Sequence, residues 1–228
     1  MERQTRLNNL TNYFLVIIFS VGLLGHVFLL DLMKTLTPIT LFIVNFLILF
    51  VFIQNQNELT KKKSIIILPI IFVVTLIIEI IGEKTGAIFG RYTYGNVLSY
   101  NIIEIFNVPL IIGFNWVMVI LSATALSSKI THNDILQIPV SGLIAVAFDY
   151  VLEPVAIRLG YWYWLDDFGF TIREIPLENY LAWFFISSLF AFIIKRFNLN
   201  LKGKFLLYYF FSQLFFFQIL NIFMRAIK

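Results

Sequence analysis

The sequence predicts an all-α polytopic membrane protein, a bundle of about seven transmembrane helices. Of its 228 residues, 60% are hydrophobic and only 13% are charged, which is far too apolar for an ordinary soluble domain. A helix that crosses the hydrocarbon core of a bilayer needs about 20 mostly apolar residues. Seven such runs can be placed along the chain: 13–30, 36–53, 65–81, 109–126, 138–157, 180–194 and 205–224. No soluble segment is left over, so residues 1–228 are expected to form a single integral membrane domain.

The connections between the runs alternate between short and long. The first run follows a polar leader, residues 1–12, without a small-residue cleavage site, so we expect a retained span and not a signal peptide. The connections after runs three and five, 83–108 and 158–179, are long, and loops longer than a helix connection needs tend to be functional. Runs two and three, four and five, and six and seven are joined by the short polar connectors NQNELTKKK, SSKITHNDILQ and KRFNLNLKGK.

The basic residues lie between the apolar runs and predict how the helices cross the membrane. With seven spans, the N-terminal leader and the short connectors share one side and hold ten of the 17 Lys and Arg residues. The positive-inside rule puts this side in the cytoplasm. We therefore expect a multi-pass protein of the cell (inner) membrane with a cytoplasmic N-terminus and both long loops outside. The ten basic residues are Arg3, Arg6, Lys61, Lys62, Lys63, Lys129, Lys195, Arg196, Lys202 and Lys204.

Acidic residues lie inside two of the runs, next to the long loops. A glutamate pair that starts at Glu79 ends run three, and run five contains Asp149 and Glu153; the members of each pair are four residues apart and so share one helix face. An ionised aspartate near the middle of a membrane costs roughly 2.5 to 3.5 kcal/mol. Asp149 could be a satisfied interhelical hydrogen-bond partner of Asn115, Asn45 or a tyrosine. Alternatively, a carboxyl group in this low-dielectric setting keeps its proton and can deliver it to a substrate.

Aromatic side chains gather at the same end of the predicted bundle. Six of them are Tyr92, Tyr94, Trp116, Trp162, Trp164 and Trp183. Tyr and Trp are common at the membrane–water interface, so an anchoring belt would explain them without a site. An electron-rich wall would also suit an enzyme that forms a carbocation, or a protein that binds a long polyene.

Several classes of protein are excluded by composition. The chain has two histidines, too few for a di-iron hydroxylase or desaturase, and no cysteine, which excludes disulfides, thiolate metal sites and cysteine nucleophiles. The last run has no lysine for a retinal Schiff base, and no glycine-rich dinucleotide motif is present. No metal, no cofactor and no nucleic acid partner is therefore predicted. Acid-initiated hydration, cyclisation or isomerisation of an alkene remains. No internal repeat is evident.

Four stretches of the chain carry a family resemblance. They are EIIGEKTGAIFGRYTYG (79–95), NVPLIIGFNW (107–116), AFDYVLEPVAIRLGYWYW (147–164) and IPLENYLAWF (175–184). In order and spacing they resemble the carotenoid biosynthesis protein family, whose members include CruF-like carotenoid hydratases and bisanhydrobacterioruberin hydratase. Two positions depart from the family pattern: Glu153, where aspartate is usual, and Ala182, where glycine is usual. Glutamate keeps the acid but extends its reach by one methylene.

The resemblance implies a cofactor-free hydro-lyase that adds water to the terminal double bond of an acyclic (psi) carotenoid end group and gives a tertiary alcohol. It implies Glu79, Asp149 and Glu153 as the catalytic acids, without saying which is donor and which is base. The expected partners are an acyclic carotenoid similar to lycopene or gamma-carotene, the lipid bilayer, and other carotenoid enzymes. The substrate-binding residues that it implies are Thr85, Phe89, Tyr92, Tyr94, Asn107, Trp116, Trp162, Trp164, Asn179 and Trp183.

Hydration of an isopropylidene end group needs a proton donor, shelter for a tertiary cation and one ordered water. A protonated buried carboxyl, the aromatic wall and a second carboxylate with Asn179 or Asn107 could supply them. Two alternatives stay open. A carotenoid end-group cyclase begins with the same protonation but must exclude water, and a non-catalytic carotenoid-binding membrane protein would need only the aromatic side chains.

Overall fold

The part of the chain that the structure describes forms seven membrane-spanning helices, as the sequence predicts. The computed structural model describes residues 2–100, 103–165 and 169–226. In this part of the chain all seven helices are long and apolar enough to cross a membrane, which confirms the all-α polytopic bundle. Their bounds are α1 Glu2–Phe28, α2 Leu30–Gln54, α3 Glu58–Thr85, α4 Leu110–Ile130, α5 Asp134–Leu159, α6 Leu177–Arg196 and α7 Lys204–Ala226.

Polar caps and glycines define helix ends that the hydropathy pattern alone does not locate. Asn57 and Asn133 accept hydrogen bonds from the first backbone N–H groups of α3 and α5. Gly86 and Gly160 end the same two helices with φ of 68° and 77°, a left-handed conformation that glycine adopts without steric cost. The first span was predicted to begin at residue 13, but α1 runs back through the polar leader to Glu2.

Short strands occupy the two long connections, which the sequence predicts only as loops. β1 (Tyr92–Tyr94) follows α3, and β4 (Trp162–Trp164) follows α5. The two strands pair antiparallel with Thr93 opposite Tyr163, and backbone hydrogen bonds extend the ladder beyond both ends. The pairing brings the two long connections together at the ends of α3 and α5.

Each long connection then forms a short hairpin with a two-residue turn, and this hairpin leads into the next helix. β2 (Glu104–Ile105) pairs with β3 (Val108–Pro109) before α4, and β5 (Thr171–Ile172) pairs with β6 (Ile175–Pro176) before α6. The two residues at each turn have positive φ, 51° and 68° in the first hairpin and 56° and 68° in the second. This is the type I′ geometry, which matches the twist of the flanking strands. Asn107 takes one of these positions, and asparagine tolerates the left-handed region better than most residues.

The two halves of this region form a structural repeat that is not evident in the sequence. Unit A consists of α3, β1, β2, β3 and α4, and unit B consists of α5, β4, β5, β6 and α6. Glu79 and Glu153 each lie six residues before the last residue of their helix, and Trp116 and Trp183 each lie seven residues after the proline that ends their hairpin. The register of β1 on β4 is symmetric about its central pair, so a local twofold axis relates the units there. The expectation of no internal repeat is therefore wrong for the structure.

Helix α4 lies at the centre of the bundle. It contacts α2, α3, α5, α6 and α7, and it is the most buried of the seven described helices. Small side chains such as Ser122, Ala123 and Thr124 allow this close packing, because they let neighbouring backbones approach. The other helices present large apolar side chains on the outside, where lipid surrounds a membrane protein.

Candidate active site

The acidic and aromatic residues singled out in the sequence line one small pocket between units A and B. It lies where α3 and α5 end and α4 and α6 begin, and the β1–β4 pair contributes four of its side chains. Its volume is about 40 Å³. The lining residues are Glu79, Phe89, Tyr92, Tyr94, Ile112, Asn115, Trp116, Asp149, Leu152, Glu153, Trp162, Trp164, Asn179 and Trp183.

Glu79 is held by three hydrogen-bond donors of unit A. Its Oε2 accepts from the hydroxyls of Tyr92, at 2.5 Å, and Tyr94, at 2.7 Å, and its Oε1 accepts from the indole N–H of Trp116 at 2.6 Å. Short bonds of this kind are typical of an ionised carboxylate. Burial, together with the charge of Glu79, raises the pKa of both Tyr92 and Tyr94, so the two hydroxyls keep their protons and act as donors. Three donors of this kind stabilise the ionised form of a buried carboxyl group.

Glu153 takes the equivalent position in unit B and has a different set of donors. Its Oε2 accepts from the indole N–H groups of Trp162, at 3.1 Å, and Trp164, at 2.9 Å. Its Oε1 accepts from the side-chain amide of Asn179 at 3.3 Å. These bonds are longer than those of Glu79, so Glu153 is held less tightly although it also has three donors.

Asp149 lies one helical turn before Glu153 and its side chain is fully buried. Its Oδ2 accepts from Nδ2 of Asn179 at 2.7 Å, and the same amide nitrogen donates to Glu153. If Asp149 serves as an interhelical hydrogen-bond partner, the sequence suggests Asn115, Asn45 or a tyrosine for it. The structure gives Asn179 instead. Oδ1 of Asp149 has no hydrogen-bond partner in the part of the chain that the structure describes. Two acids therefore share one amide, and one of them has an unpaired oxygen.

Aromatic rings form much of the remaining wall. Trp116 and Trp183, equivalent residues of the two units, stack with ring centroids 4.0 Å apart and an interplanar angle of 25°. Tyr92 contacts Trp164 across the β1–β4 pair, with centroids 5.4 Å apart, and Phe89 lies 6.4 Å from Trp116. The π faces of such rings lower the energy of a nearby positive charge.

Two residues implied as substrate-binding lie outside the pocket. Thr85 is exposed at the end of α3, where its hydroxyl donates to the carbonyl of Ile81 at 2.6 Å and accepts from the backbone N–H of Ala87 at 3.2 Å. Asn107 is exposed in the turn of the first hairpin. Both residues meet needs of the local backbone, and the structure does not bring them to the acids.

Three lining residues are absent from the site inferred from the sequence: Ile112, Asn115 and Leu152. Ile112 follows its hairpin proline by three residues, as Asn179 does in unit B. A comparison of the two units would therefore have found it, but this needs the repeat to be known. The sequence suggests Asn115 only as a possible hydrogen-bond partner of Asp149, and Leu152 carries no signal of its own in the sequence.

The fold and the pocket define a polytopic membrane protein with a buried site made of acids and aromatic rings. Among the described residues, no group of three or more His, Asp or Glu side chains is arranged to hold a metal ion. The family model for the carotenoid biosynthesis protein matches residues 37–227, which include the whole pocket, and the chain therefore belongs to the carotenoid biosynthesis protein family. Its role is in carotenoid biosynthesis. No curated protein and no solved structure matches the chain.

Proposed function

We propose that the protein adds water to the terminal double bond of an acyclic carotenoid end group and gives a tertiary alcohol. The observation that carries this proposal is the unpaired Oδ1 of Asp149, an acid oxygen in a buried aromatic pocket beside a second acid. An end group like that of lycopene or gamma-carotene has an isopropylidene double bond, and its protonation gives a tertiary cation. Membership of the carotenoid biosynthesis protein family supports a carotenoid as the substrate.

Asp149 is the acid that supplies the proton. Glu153 accepts three hydrogen bonds whereas Asp149 accepts one, so the ionised form of Glu153 is better stabilised. Two ionised carboxylates on one amide would repel each other in a low dielectric, which favours one proton on the pair. A buried acid with a single donor costs least when it is neutral. The shared proton therefore belongs to Asp149.

The reaction is an addition of water without net oxidation or reduction. Asp149 gives its proton to the CH carbon of the double bond; the π electrons form the new C–H bond, and the positive charge is left on the dimethyl carbon. A water attacks this carbon with an oxygen lone pair while Glu153 takes one of the water protons as general base. Glu153 then holds the proton that Asp149 has lost. Its return to Asp149, beside the Asn179 amide that both acids share, completes the cycle.

Glu79 and the rings stabilise the cation between the two steps. Both oxygens of Glu79 already accept hydrogen bonds, so this residue acts through its fixed negative charge. A charge held in place before the reaction stabilises a developing opposite charge better than mobile water does. The stacked Trp116 and Trp183 add their π faces to the same effect.

The size of the pocket limits how much of the substrate enters it. Pockets that enclose a whole small ligand measure roughly 300 to 1,000 Å³, whereas this one measures about 40 Å³. In the proposed reaction the pocket therefore takes the tip of the chain and a water, and the body of the carotenoid lies outside it.

The test is the product that the protein makes from lycopene, first in a lycopene-producing bacterial host and then with purified protein. The expected product is heavier by one water. Its hydroxyl carries the label when the water contains heavy oxygen, and the neighbouring carbon carries deuterium when the reaction runs in deuterated water. A product of unchanged mass with a ring would support an end-group cyclase instead. Bound but unaltered lycopene would support a non-catalytic carotenoid-binding protein.

A further inference from the structure

A groove follows the seam between α1 and α7 on the outside of the bundle. Its volume is about 470 Å³ and all of its lining residues come from these two helices. Val16 of α1 and Phe215 and Ile219 of α7 line it and are exposed, so it opens toward lipid. None of its lining residues is charged. We call it the outer groove.

A second cavity, which we call the inner cavity, lies further along the same seam, between α1, α2 and α7. Its volume is about 190 Å³, and α1, α2, α7 and Tyr161 line it. The side chains of His26 and Thr37 meet there, with Nε2 of the histidine 3.3 Å from the threonine hydroxyl. Since these polar groups bond to each other, the cavity presents a surface that suits an apolar chain.

Phe19 and Phe216 line both the outer groove and the inner cavity and so form the partition between them. Their rings meet edge to face with centroids 6.0 Å apart. Only apolar contact holds the pair, so rotation of the two side chains breaks no hydrogen bond. Gly22 lies almost one turn further along α1, and a Cβ atom there would meet the ring of Phe216 at an ordinary contact distance of 3.6 Å.

The inner cavity also borders neighbours of two candidate active-site residues. Tyr161 lines the cavity, and the next residue, Trp162, donates to Glu153 in the acid pocket. Phe217 lines the cavity as well, and its ring packs on that of Phe148, the residue before Asp149, with centroids 6.1 Å apart. Aromatic side chains thus lie between the inner cavity and α5, the helix that carries Asp149 and Glu153.

We propose that the seam between α1 and α7 is the binding site for the body of a long, apolar polyene chain. The chain enters from the bilayer through the outer groove, passes Phe19 and Phe216 into the inner cavity, and extends its end past Tyr161 to the acid pocket. This inference rests on the proposed function, because the chemistry of the end group decides which part of the chain reaches Asp149. Helix α1 lies outside the family match, so this site uses a helix that the match does not cover.

Two changes close the seam in different ways. Gly22→Leu puts bulk into the inner cavity, and Ile17→Phe is its control, because Ile17 is on the same helix, is exposed and lines neither space. Ser20→Cys with Ser212→Cys puts one thiol on each side of the outer groove of a chain that has no other cysteine. A short bifunctional reagent that forms mixed disulfides then joins α1 to α7, and a reductant releases them.

The substrates are lycopene and myrcene, a short terpene with the same isopropylidene end that does not need the seam. Gly22→Leu and the cross-linked protein should retain less lycopene after washing in detergent, and kcat/KM for lycopene should fall by at least about tenfold while that for myrcene is unchanged. Reductant should restore the cross-linked protein, and Ile17→Phe should behave as the unmodified chain. Because the cross-link is reversible, a loss that reductant does not restore cannot be taken for closure of the seam and counts against it.

Unchanged lycopene binding and turnover in both closed forms would overturn the inference, and so would a seam that holds only phospholipid which lycopene does not displace. The proposed function fails separately. If the unmodified protein hydrates neither compound but closure still removes bound lycopene, the hydratase proposal is wrong and the polyene site stands. If the unmodified protein hydrates both and closure changes nothing, the polyene site is wrong and the hydratase proposal stands.

Discussion

Units A and B share one plan, but only unit B places a second acid in the pocket. Four residues before Glu153 stands Asp149, whereas the same position of unit A holds Thr75, whose hydroxyl bonds within its own helix. The amide of Asn179, which bridges the two acids, has Ile112 as its counterpart in unit A. The repeated scaffold thus anchors one glutamate in each unit, and the additional acid of unit B forms the pair that moves the proton in the proposed reaction.

The donors of the two glutamates differ in the same sense. Glu79 is held at 2.5 to 2.7 Å by two hydroxyls and one indole, and Glu153 is held at 2.9 to 3.3 Å by two indoles and an amide. Donors at short hydrogen-bond distances on both oxygens suit a charge that stays fixed. A looser set suits a group that must accept a proton and release it in each cycle. In the proposed mechanism, these different donors fit the two glutamates of one scaffold for different roles.

Asp149→Asn tests the second acid of unit B most directly, and we expect it to cause the largest loss of turnover. The amide keeps the shape and the contact with Asn179 but has no proton to transfer, so turnover should fall by roughly 100- to 10,000-fold. Stability should fall by only about 1 kcal/mol, because one hydrogen bond of the site is altered. The measurement is the hydration rate of purified protein at equal carotenoid binding.

The matched control for this change is Thr75→Val, which alters the equivalent position of unit A and removes a hydroxyl that bonds only within its helix. Its turnover should stay close to that of the unmodified protein. A loss of only about tenfold would be smaller than the contribution of a general acid. If Asp149→Asn keeps about a tenth of normal turnover or more, then Asp149 is structural and the proton donor is one of the two glutamates.

Glu153→Gln should have the next largest effect. The glutamine cannot accept a proton from water, so the hydration rate should fall on the order of 100-fold. The cation would still form, because Asp149 remains, and it would lose a proton or meet another double bond instead of a water. Product analysis should therefore detect alkene isomers or cyclised carotenoids. A normal yield of alcohol would show that Glu153 is not the base.

The sequence predicted all seven helices because each one leaves an apolar run long enough to cross a bilayer. It also pointed to most of the candidate site, since Glu79, Asp149 and Glu153 are costly inside a membrane and lie next to long loops rich in aromatic residues. The β1–β4 pairing could not be predicted, because three residues such as Tyr92–Tyr94 are too few to establish an alternating pattern.

The repeat could not be predicted from the sequence for a different reason. Some equivalent residues are identical, but others are not, as Thr75 with Asp149 and Ile112 with Asn179 illustrate. Asn107 shows a different limit of sequence reasoning. It lies within a stretch that resembles the family, yet the physical demand on it is a positive φ in a hairpin turn. Sequence reasoning had no means to separate this demand from a role in binding.

Glu79→Gln tests the fixed charge of unit A, and we expect a smaller effect than at Glu153. Glutamine places an NH₂ group among three donors, so the set of hydrogen bonds is broken and the cation loses one opposite charge; turnover should fall about tenfold. Tyr94→Phe is the comparison variant, because it removes one donor and leaves the carboxylate in place. It should keep more activity than Glu79→Gln in the same assay. Equal losses would mean that the geometry around Glu79, and not its charge, matters.

The smallest expected effect is on folding stability at high pH, and it comes from the tyrosines that donate to Glu79. Burial and the charge of Glu79 raise the pKa of Tyr92 and Tyr94, whereas an unfolded chain ionises its tyrosines near pH ~10. Above that pH the folded protein binds more protons than the unfolded chain, so this contribution to stability is fully present below pH ~10 and is lost as the pH rises further.

Titration of tyrosinate absorbance should therefore be the same for the unmodified protein and for a double Tyr92→Phe, Tyr94→Phe variant as long as both stay folded. The stability of the variant should also fall less steeply at high pH, because it lacks the two protons that the folded protein retains. If the unmodified protein forms two more phenolates than the variant near pH ~10, the two hydroxyls are not buried against a negative charge. Glu79 would then not be the fixed anion of unit A, and the contrast between the two glutamates would be lost.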